Sequence, residues 1–240
     1  MSAPSLKRTT FKTSRLAEFC SLKELISQTG HEVQQWPLVV LKELVDNSID
    51  GCEEVGAAPV IGVAVADDKI VIVDNGPGMP PETVEGILDY SSRVSSREAY
   101  VSPTRGAQGN ALKTVLATAF ALDGESGETL IEARGVAHRV TFSIDRVRRE
   151  PKITHVREVS PVKIGTRITV RWPDSACSEL DDAKARFLQI ADDFTWINPH
   201  LTLSVEWTRP TEDDDGEPRT AWSIPASIPR ATLSAWAEWA

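Results

Sequence analysis

The order of apolar and polar positions along the chain predicts helices gathered early and strands gathered later. A strongly helical segment from about residue 33 to 55 precedes two apolar strands, 60–66 and 69–74, joined by an Asp-Asp turn. The later predicted elements are a buried helix after a glycine-rich turn, a helix at 178–196, and strands at 128–134, 137–146, 151–158, 166–172 and 201–208. This order lacks the strand-helix alternation of a doubly wound parallel fold. We therefore expect an α+β two-layer sandwich, in which helices cover one face of a mixed β-sheet.

Composition and charge narrow the functional classes. The chain has 240 residues, and its 41% hydrophobic content is sufficient for a packed core. A formal net charge of −9 argues against nucleic-acid binding by this chain alone, because phosphate contacts require clustered Lys and Arg. The three cysteines and four histidines lack metal-ligand or disulfide spacing, and no apolar run approaches the ~18 residues of a membrane span. We expect a cytoplasmic protein without a zinc site, a disulfide framework or a membrane segment.

The stretch LKELVDNSIDG, residues 41–51, places polar side chains on one side of the long helix. Glu43, Asn47 and Asp50 stand at i, i+4 and i+7 and share a face, whereas Leu41 and Leu44 lie on the opposite side. Such a face is most often solvated when the pattern stands alone. The other interpretation is that it faces a ligand pocket.

A second candidate site follows the apolar strand KIVIV. Asp74 sets a carboxylate at the end of the strand, and Gly76 and Gly78 come just beyond it. Glycines permit a tight turn and close approach of a ligand, and the carboxylate can accept a hydrogen bond from an exocyclic amine. The sequence is also compatible with a plain Asn-Gly turn that leaves a strand.

A third candidate is the glycine-rich start of the buried helix. Unpaired backbone N–H groups and the positive end of the helix dipole suit a polyphosphate, although a flexible linker is the alternative. The spacing is not G-x-x-x-x-G-K-[ST], which excludes a P-loop. The residues of this candidate are Arg105, Gly106, Ala107, Gln108, Gly109, Asn110, Ala111, Leu112 and Lys113.

Taken in this order, the three candidates resemble the GHKL ATPases, the Bergerat-fold proteins that include gyrase, heat-shock chaperone ATPases, sensor histidine kinases and MutL. The detail is most similar to the B subunit of type IIB DNA topoisomerase VI, and the resemblance covers roughly residues 14–224. Four stretches carry the resemblance: PPETVEGILDYSSR, TRGAQGNALKT, Gly165-Thr166 at the start of the strand TRITVRW, and RFLQIADDFTWINPHLTLSVEW.

The resemblance implies a role for each matched position, with ATP and Mg²⁺ as cofactors. Glu43 would be the general base that activates water, Asn47 would supply an oxygen ligand to Mg²⁺, and Asp50 would support the pocket. Asp74 would bind the adenine amino group, with Gly76, Gly78 and Thr166 beside it. The residues implied to close over the phosphates are Ser92, Arg93 and 106–113, with Arg105 flanking them.

The resemblance also implies a domain organisation and partners. Residues 1–30 would form an N-terminal arm that crosses to a second copy when ATP drives dimerisation, 31–224 the ATPase domain, and 225–240 a Pro- and Trp-containing tail. The expected partners are a second copy and a DNA-cleaving A-type subunit, with DNA reached through that complex. No transducer domain is recognisable, so we expect either an ATPase domain of a longer protein or a short relative.

Two alternatives to a topoisomerase remain open. One is a clamp ATPase of the MutL or chromatin type, which shares the fold. The other is a nucleotide-binding module that has lost hydrolysis, against which the intact Glu43 weighs. The chain also departs from the family at Asn110-Ala111, where Leu-Gly is common, and this added Cβ is expected to affect turnover more than binding.

Overall fold

The computed structural model describes residues 16–66, 68–90, 111–208 and 220–228. The helices are α1 (Leu22–Thr29), α2 (Trp36–Glu54), α3 (Pro81–Ile87), α4 (Ala111–Asp123) and α5 (Cys177–Ile197), with short 3₁₀ turns at Leu16–Phe19, Val33–Gln35 and Asp174–Ala176. The strands are β1 (Val60–Ala66), β2 (Lys69–Val73), β3 (Ser126–Ala133), β4 (Val136–Asp145), β5 (Glu150–Val159), β6 (Thr166–Arg171), β7 (Thr202–Trp207) and β8 (Thr220–Ile224).

The strands form one mixed sheet in the order β5-β4-β3-β6-β2-β1-β7-β8. β1 and β7 pair in parallel, and every other neighbouring pair is antiparallel. β6 follows β5 in the chain but lies between β2 and β3. The start of β6 therefore lies beside the end of β2, where Asp74 follows.

One face of this sheet is buried beneath helices. Along these strands, buried positions alternate with more exposed ones. This two-residue period is expected when only one face of the sheet is covered, because successive side chains point to opposite faces. The register aligns a buried row across the central strands, formed by Val205, Val63, Ile72, Ile168 and Ile131. Helices α2, α4 and α5 pack against this face. The prediction of an α+β sandwich with helices on one face of a mixed sheet is confirmed.

Helix α2 forms where the sequence pattern places it. Pro37 lies in the first turn, where its missing N–H removes no intrahelical bond, and the indole of Trp36 donates to the carbonyl oxygen of His31 at 3.1 Å. Leu41 and Leu44 are at most 1% exposed because they pack into the core. The helix thus has a fixed rotation about its axis, which determines where its polar side chains lie.

The described part of the predicted N-terminal arm belongs to the same core. Phe19 and Leu25 are at most 2% exposed, and the ring of Phe19 meets that of Tyr90 edge-on, with centroids 5.0 Å apart. Residues 1–15 and 229–240 lie outside the described residues, so the exchanged arm and the tail beyond residue 228 stay predictions. Within the described ranges, no helix combines the length and the apolar character needed to cross a membrane.

Candidate functional site

The polar face of α2 carries two of the predicted site residues in accessible positions. Glu43 and Asn47 are half-buried, one turn apart. The amide nitrogen of Asn47 donates to the carbonyl oxygen of Glu43 at 2.6 Å. This bond fixes the amide so that its oxygen is the atom left to bind a ligand, and an amide oxygen is a ligand that Mg²⁺ accepts. Asn47 therefore fits the magnesium role, whereas Asp50 is buried at 8% exposure and its supporting role stays a prediction.

The carboxylate of Glu43 is held by its neighbour Lys42. The lysine ammonium lies 3.1 Å from Oε1 of Glu43 and 3.0 Å from Oδ2 of Asp46. Burial disfavours the charge on Lys42, but the attraction of Asp46 and Glu43 outweighs it and raises the pKa of the lysine. Lys42 therefore stays charged and pairs with one oxygen of Glu43.

Asp74 is fixed by donors from three parts of the chain. Its Oδ1 accepts from the backbone N–H of Gly76 at 2.8 Å and from that of Thr166 at 3.0 Å, and its Oδ2 accepts from the hydroxyl of Ser48 at 3.3 Å. Burial raises the pKa of Asp74, and these hydrogen bonds oppose the rise. Oδ1 already has two donors, so Oδ2 is the oxygen with capacity left for a ligand amine.

The turn after Asp74 requires glycine at specific positions. Gly78 has φ +74°, and a Cβ there would lie 3.0 Å from the carbonyl oxygen of Gly165. Gly165 has φ +73°, and a Cβ on it would collide with the carbonyl oxygen of Asp74. The backbone N–H of Gly165 donates to the carbonyl of Gly76 at 3.1 Å. The glycines thus allow two backbone segments, 74–79 and 165–166, to lie in direct contact.

Thr166 completes this contact. Its hydroxyl accepts from the backbone N–H of Met79 at 3.2 Å, and its carbonyl accepts from the N–H of Asp74 at 2.9 Å. The structure therefore brings together the predicted residues Asp74, Gly76, Gly78 and Thr166. Their assigned roles toward adenine stay predictions.

Asn75 turns away from the carboxylate. Its side-chain oxygen accepts from the N–H of Val60 at 2.8 Å, and its amide donates to the carbonyl of Ala58 at 3.0 Å. This side chain ties the turn to the start of β1. Its function is to position the turn, which explains why an asparagine follows Asp74.

Most of the predicted phosphate loop lies outside the described residues, namely Ser92, Arg93 and 105–110. Ala111, Leu112 and Lys113 begin α4. Lys113 is 1% exposed: its ammonium donates to the carbonyl of Asp89 at 2.5 Å and lies 5.3 Å from the centroid of the Tyr90 ring. The structure thus places this lysine inside the protein, beside the end of α3, and its predicted phosphate contact requires the side chain to move.

The sequence patterns missed two residues that build the site. Ser48 follows Asn47 on α2 but belongs to no recognisable motif, although it reaches Asp74. Arg134, in the turn between β3 and β4, donates from Nε to the carbonyls of Pro77 and Gly78 at 3.2 and 3.0 Å. No local signal marks either residue, because each acts on a segment far from it in the chain.

A cleft of about 400 Å³ between α2 and α5 lies along a different face of α2. Leu38, Lys42 and Asp46 line it, together with residues of α5, whereas Glu43, Asn47 and Asp74 do not. The cleft therefore contains none of the predicted site residues Glu43, Asn47 and Asp74. We assign the candidate site to the region between Asp74 and the Glu43–Asn47 face.

A polar helix face and a half-buried, hydrogen-bonded carboxylate at a strand end are the features that a class of nucleotide-binding ATPases shares. Residues 32–176 match the family model described as histidine kinase-, DNA gyrase B-, and HSP90-like ATPase. The chain belongs to this family.

Similar proteins with known names indicate a narrower group within this family. The chain is 29% identical over 214 residues to the B subunit of type 2 DNA topoisomerase 6 from Archaeoglobus fulgidus, covering 82% of this chain and 34% of that protein. It is also 29% identical to the corresponding protein of Natronomonas pharaonis, over 76% of this chain and 23% of that protein. The identity is again 29% to the B subunit of mitochondrial DNA gyrase from Arabidopsis thaliana, over 73% of this chain and 24% of that protein. The chain thus spans between about a quarter and a third of the length of these relatives.

Proposed function

We propose that this chain binds ATP with Mg²⁺ and hydrolyses it. The observation that carries the proposal is the Asp74 carboxylate, held by Gly76, Thr166 and Ser48 so that one oxygen keeps capacity for a donor. Adenine presents such a donor in its exocyclic amine. Membership of the ATPase family supports the same ligand.

In this proposal the two ends of the nucleotide meet different parts of the site. Asp74 and Thr166 bind the base, and α2 presents Glu43 and Asn47 to the triphosphate. Glu43 accepts the proton of the attacking water, a role that requires an ionised carboxylate within hydrogen-bond reach. Asn47 would hold the Mg²⁺, which neutralises phosphate charge when bound. Lys42 keeps the carboxylate of Glu43 in place through its ion pair.

The magnesium role gives the first prediction. We expect wild-type ATP affinity to fall at least about tenfold in EDTA, because Asn47 would hold a metal ion whose positive charge would favour the triphosphate. Asn47→Ala should bind ATP equally with and without Mg²⁺, and Asn47→Asp should restore the dependence because it keeps an oxygen ligand. Isothermal titration calorimetry in Mg²⁺ and in EDTA measures this. Equal magnesium dependence of Asn47→Ala and the wild type would remove Asn47 from the metal site.

We further propose that ATP drives two copies of the chain to dimerise and that the dimer works with a DNA-cleaving A-type subunit. The relatives are B subunits of a type 2 DNA topoisomerase, which supports this assembly. The net charge of −9 is consistent with DNA being reached through the partner.

The dimerisation gives the second prediction. We expect the chain to be monomeric without nucleotide and to shift to a dimer with saturating non-hydrolysable ATP analogue and Mg²⁺. Sedimentation velocity with and without the analogue measures the shift, and ADP serves as the matched ligand control. A monomer that binds the analogue without associating would contradict ATP-driven dimerisation but leave nucleotide binding intact.

A further inference from the structure

The β3–β4 turn contains an arginine in an unfavourable backbone conformation. Arg134 has φ +53° and Gly135 φ +80°, and Ala133 pairs directly with Val136, so the turn is a two-residue hairpin loop with both central residues left-handed. Asn, Asp and Gly favour these positions, and a long side chain costs about 1 kcal/mol or more there. The arginine therefore does not serve the turn itself.

The side chain of Arg134 lies across the turn that follows Asp74. Its Nε donates to the carbonyl oxygens of Pro77 and Gly78 at 3.2 and 3.0 Å. A Cβ at Gly78 would lie 3.1 Å from the Cγ of Arg134, so this close approach adds to the need for glycine. Two successive carbonyls of the candidate base-binding turn are thus oriented by one guanidinium.

The hairpin turn that carries Arg134 is itself hydrogen-bonded to residues 160–162, which precede Gly165 and Thr166. The N–H of Gly135 donates to the carbonyl of Val162 at 2.7 Å, and the N–H of Ser160 donates to the carbonyl of Gly135 at 2.9 Å. The hydroxyl of Ser160 donates to the buried carboxylate of Glu132 at 2.9 Å. These contacts hold residues 160–165, which lead directly into Thr166.

We infer that Arg134 is a positioning residue for nucleotide binding, which fixes the 74–79 turn so that Asp74 and Thr166 face the base together. The inference rests on the proposed function and adds a residue to it. The path is continuous: Arg134 orients the carbonyls of residues 77 and 78, and the next N–H, that of Met79, donates to the hydroxyl of Thr166. Without the guanidinium, those carbonyls lose the donor from Arg134, and the bonds to Asp74, Gly165 and Thr166 hold the turn less firmly.

Two variants separate this role from a structural one. Arg134→Asn and Arg134→Gly both suit a left-handed position, so we expect thermal unfolding at the wild-type temperature or above. Both should weaken ATP and ADP binding by the same factor of about ten, since the contacts lie at the base end of the nucleotide. KM for ATP should rise by a similar factor while kcat at saturating ATP stays within about twofold.

Arg149 supplies a matched control. It is the other non-glycine residue with positive φ among the described residues, at φ +56° in the β4–β5 turn, at the opposite end of β4. Arg149→Asn relieves the same backbone strain and should leave nucleotide affinity unchanged.

Calorimetry with ADP and with ATP analogue, together with thermal unfolding, decides the inference. Unchanged affinity in Arg134→Asn and Arg134→Gly would overturn it, and so would a loss of affinity accompanied by a fall in unfolding temperature. A larger loss for ATP analogue than for ADP would also overturn it, because that result assigns the guanidinium to the phosphates. If wild-type protein bound neither nucleotide, the proposed function itself would fail, which is a distinguishable result.

Discussion

Glu43→Ala is expected to reduce ATP hydrolysis by about a hundred- to ten-thousand-fold, the contribution typical of a general base. ATP affinity should stay within about threefold of the wild type, because Asp74 and Thr166 at the base end are untouched. The fold should also persist, since Glu43 is half-buried at the surface of α2 and Lys42 keeps its ion pair with Asp46. Phosphate release measures turnover, and calorimetry with a non-hydrolysable analogue measures binding.

Asp46→Asn is the matched control for this variant. Asp46 binds the same lysine at 3.0 Å but lies on the side of α2 that lines the α2–α5 cleft. Its neutralisation should leave turnover within about threefold. An unchanged rate of hydrolysis in Glu43→Ala would refute the assignment of Glu43 as the general base. An equal loss of turnover in both variants would show that the ion pairs with Lys42, rather than a base at Glu43, account for the effect.

Asp74→Asn is expected to weaken ATP binding by at least about a hundredfold without unfolding the protein. The new amide can keep the fold, because its oxygen can accept from Gly76 and Thr166 while its nitrogen donates to the hydroxyl of Ser48. The group facing the ligand changes from an acceptor to a donor, however, and therefore opposes the adenine amine. When the amide nitrogen at position 74 and the adenine amine face each other, neither donor has an acceptor. Two unpaired donors cost more binding free energy than the loss of one neutral hydrogen bond.

The same inversion predicts a change in base preference. Asparagine can donate to the carbonyl oxygen of guanine, so the preference of Asp74→Asn for ATP over GTP should narrow relative to the wild type. Fluorescence competition with ATP and GTP measures both affinities, and thermal unfolding confirms that the variant is folded. Wild-type ATP affinity in folded Asp74→Asn would remove Asp74 from the base site.

Most of the helices and strands were predictable from sequence because their signals are local, although β8 (Thr220–Ile224) was not among the predicted strands. The pattern of 33–55 predicts α2, observed as Trp36–Glu54, and KIVIV predicts β2, observed as Lys69–Val73. The division of α2 into a leucine face and a polar face also follows from spacing alone. Asp74 could be nominated as a ligand-binding residue because a carboxylate at a strand end with glycines beyond it is a compact motif.

The partners of Asp74 were not predictable in the same way. Its contact with Ser48 depends on the distance between α2 and β2, and its contact with Thr166 depends on the insertion of β6 between β2 and β3. Arg134 reaches Gly78 only because β3 is the other neighbour of β6. These relations follow from sheet order, which hydrophobic periodicity does not encode. The position of Lys113 inside the protein likewise depends on the packing of Tyr90.

The hydrogen bond from Thr166 to Asp74 joins residues 92 positions apart. A chain that stops before β6, as a nascent chain does during synthesis, lacks this donor and the carbonyl of residue 166 that accepts from Asp74. Under the proposed function, affinity for the base is therefore acquired late, once β6 has been inserted between β2 and β3. A nucleotide that binds only the completed sheet would stabilise it by about 2.7 kcal/mol at a hundred times its dissociation constant. The cellular ATP supply would then favour the fully assembled domain over its partly folded precursors.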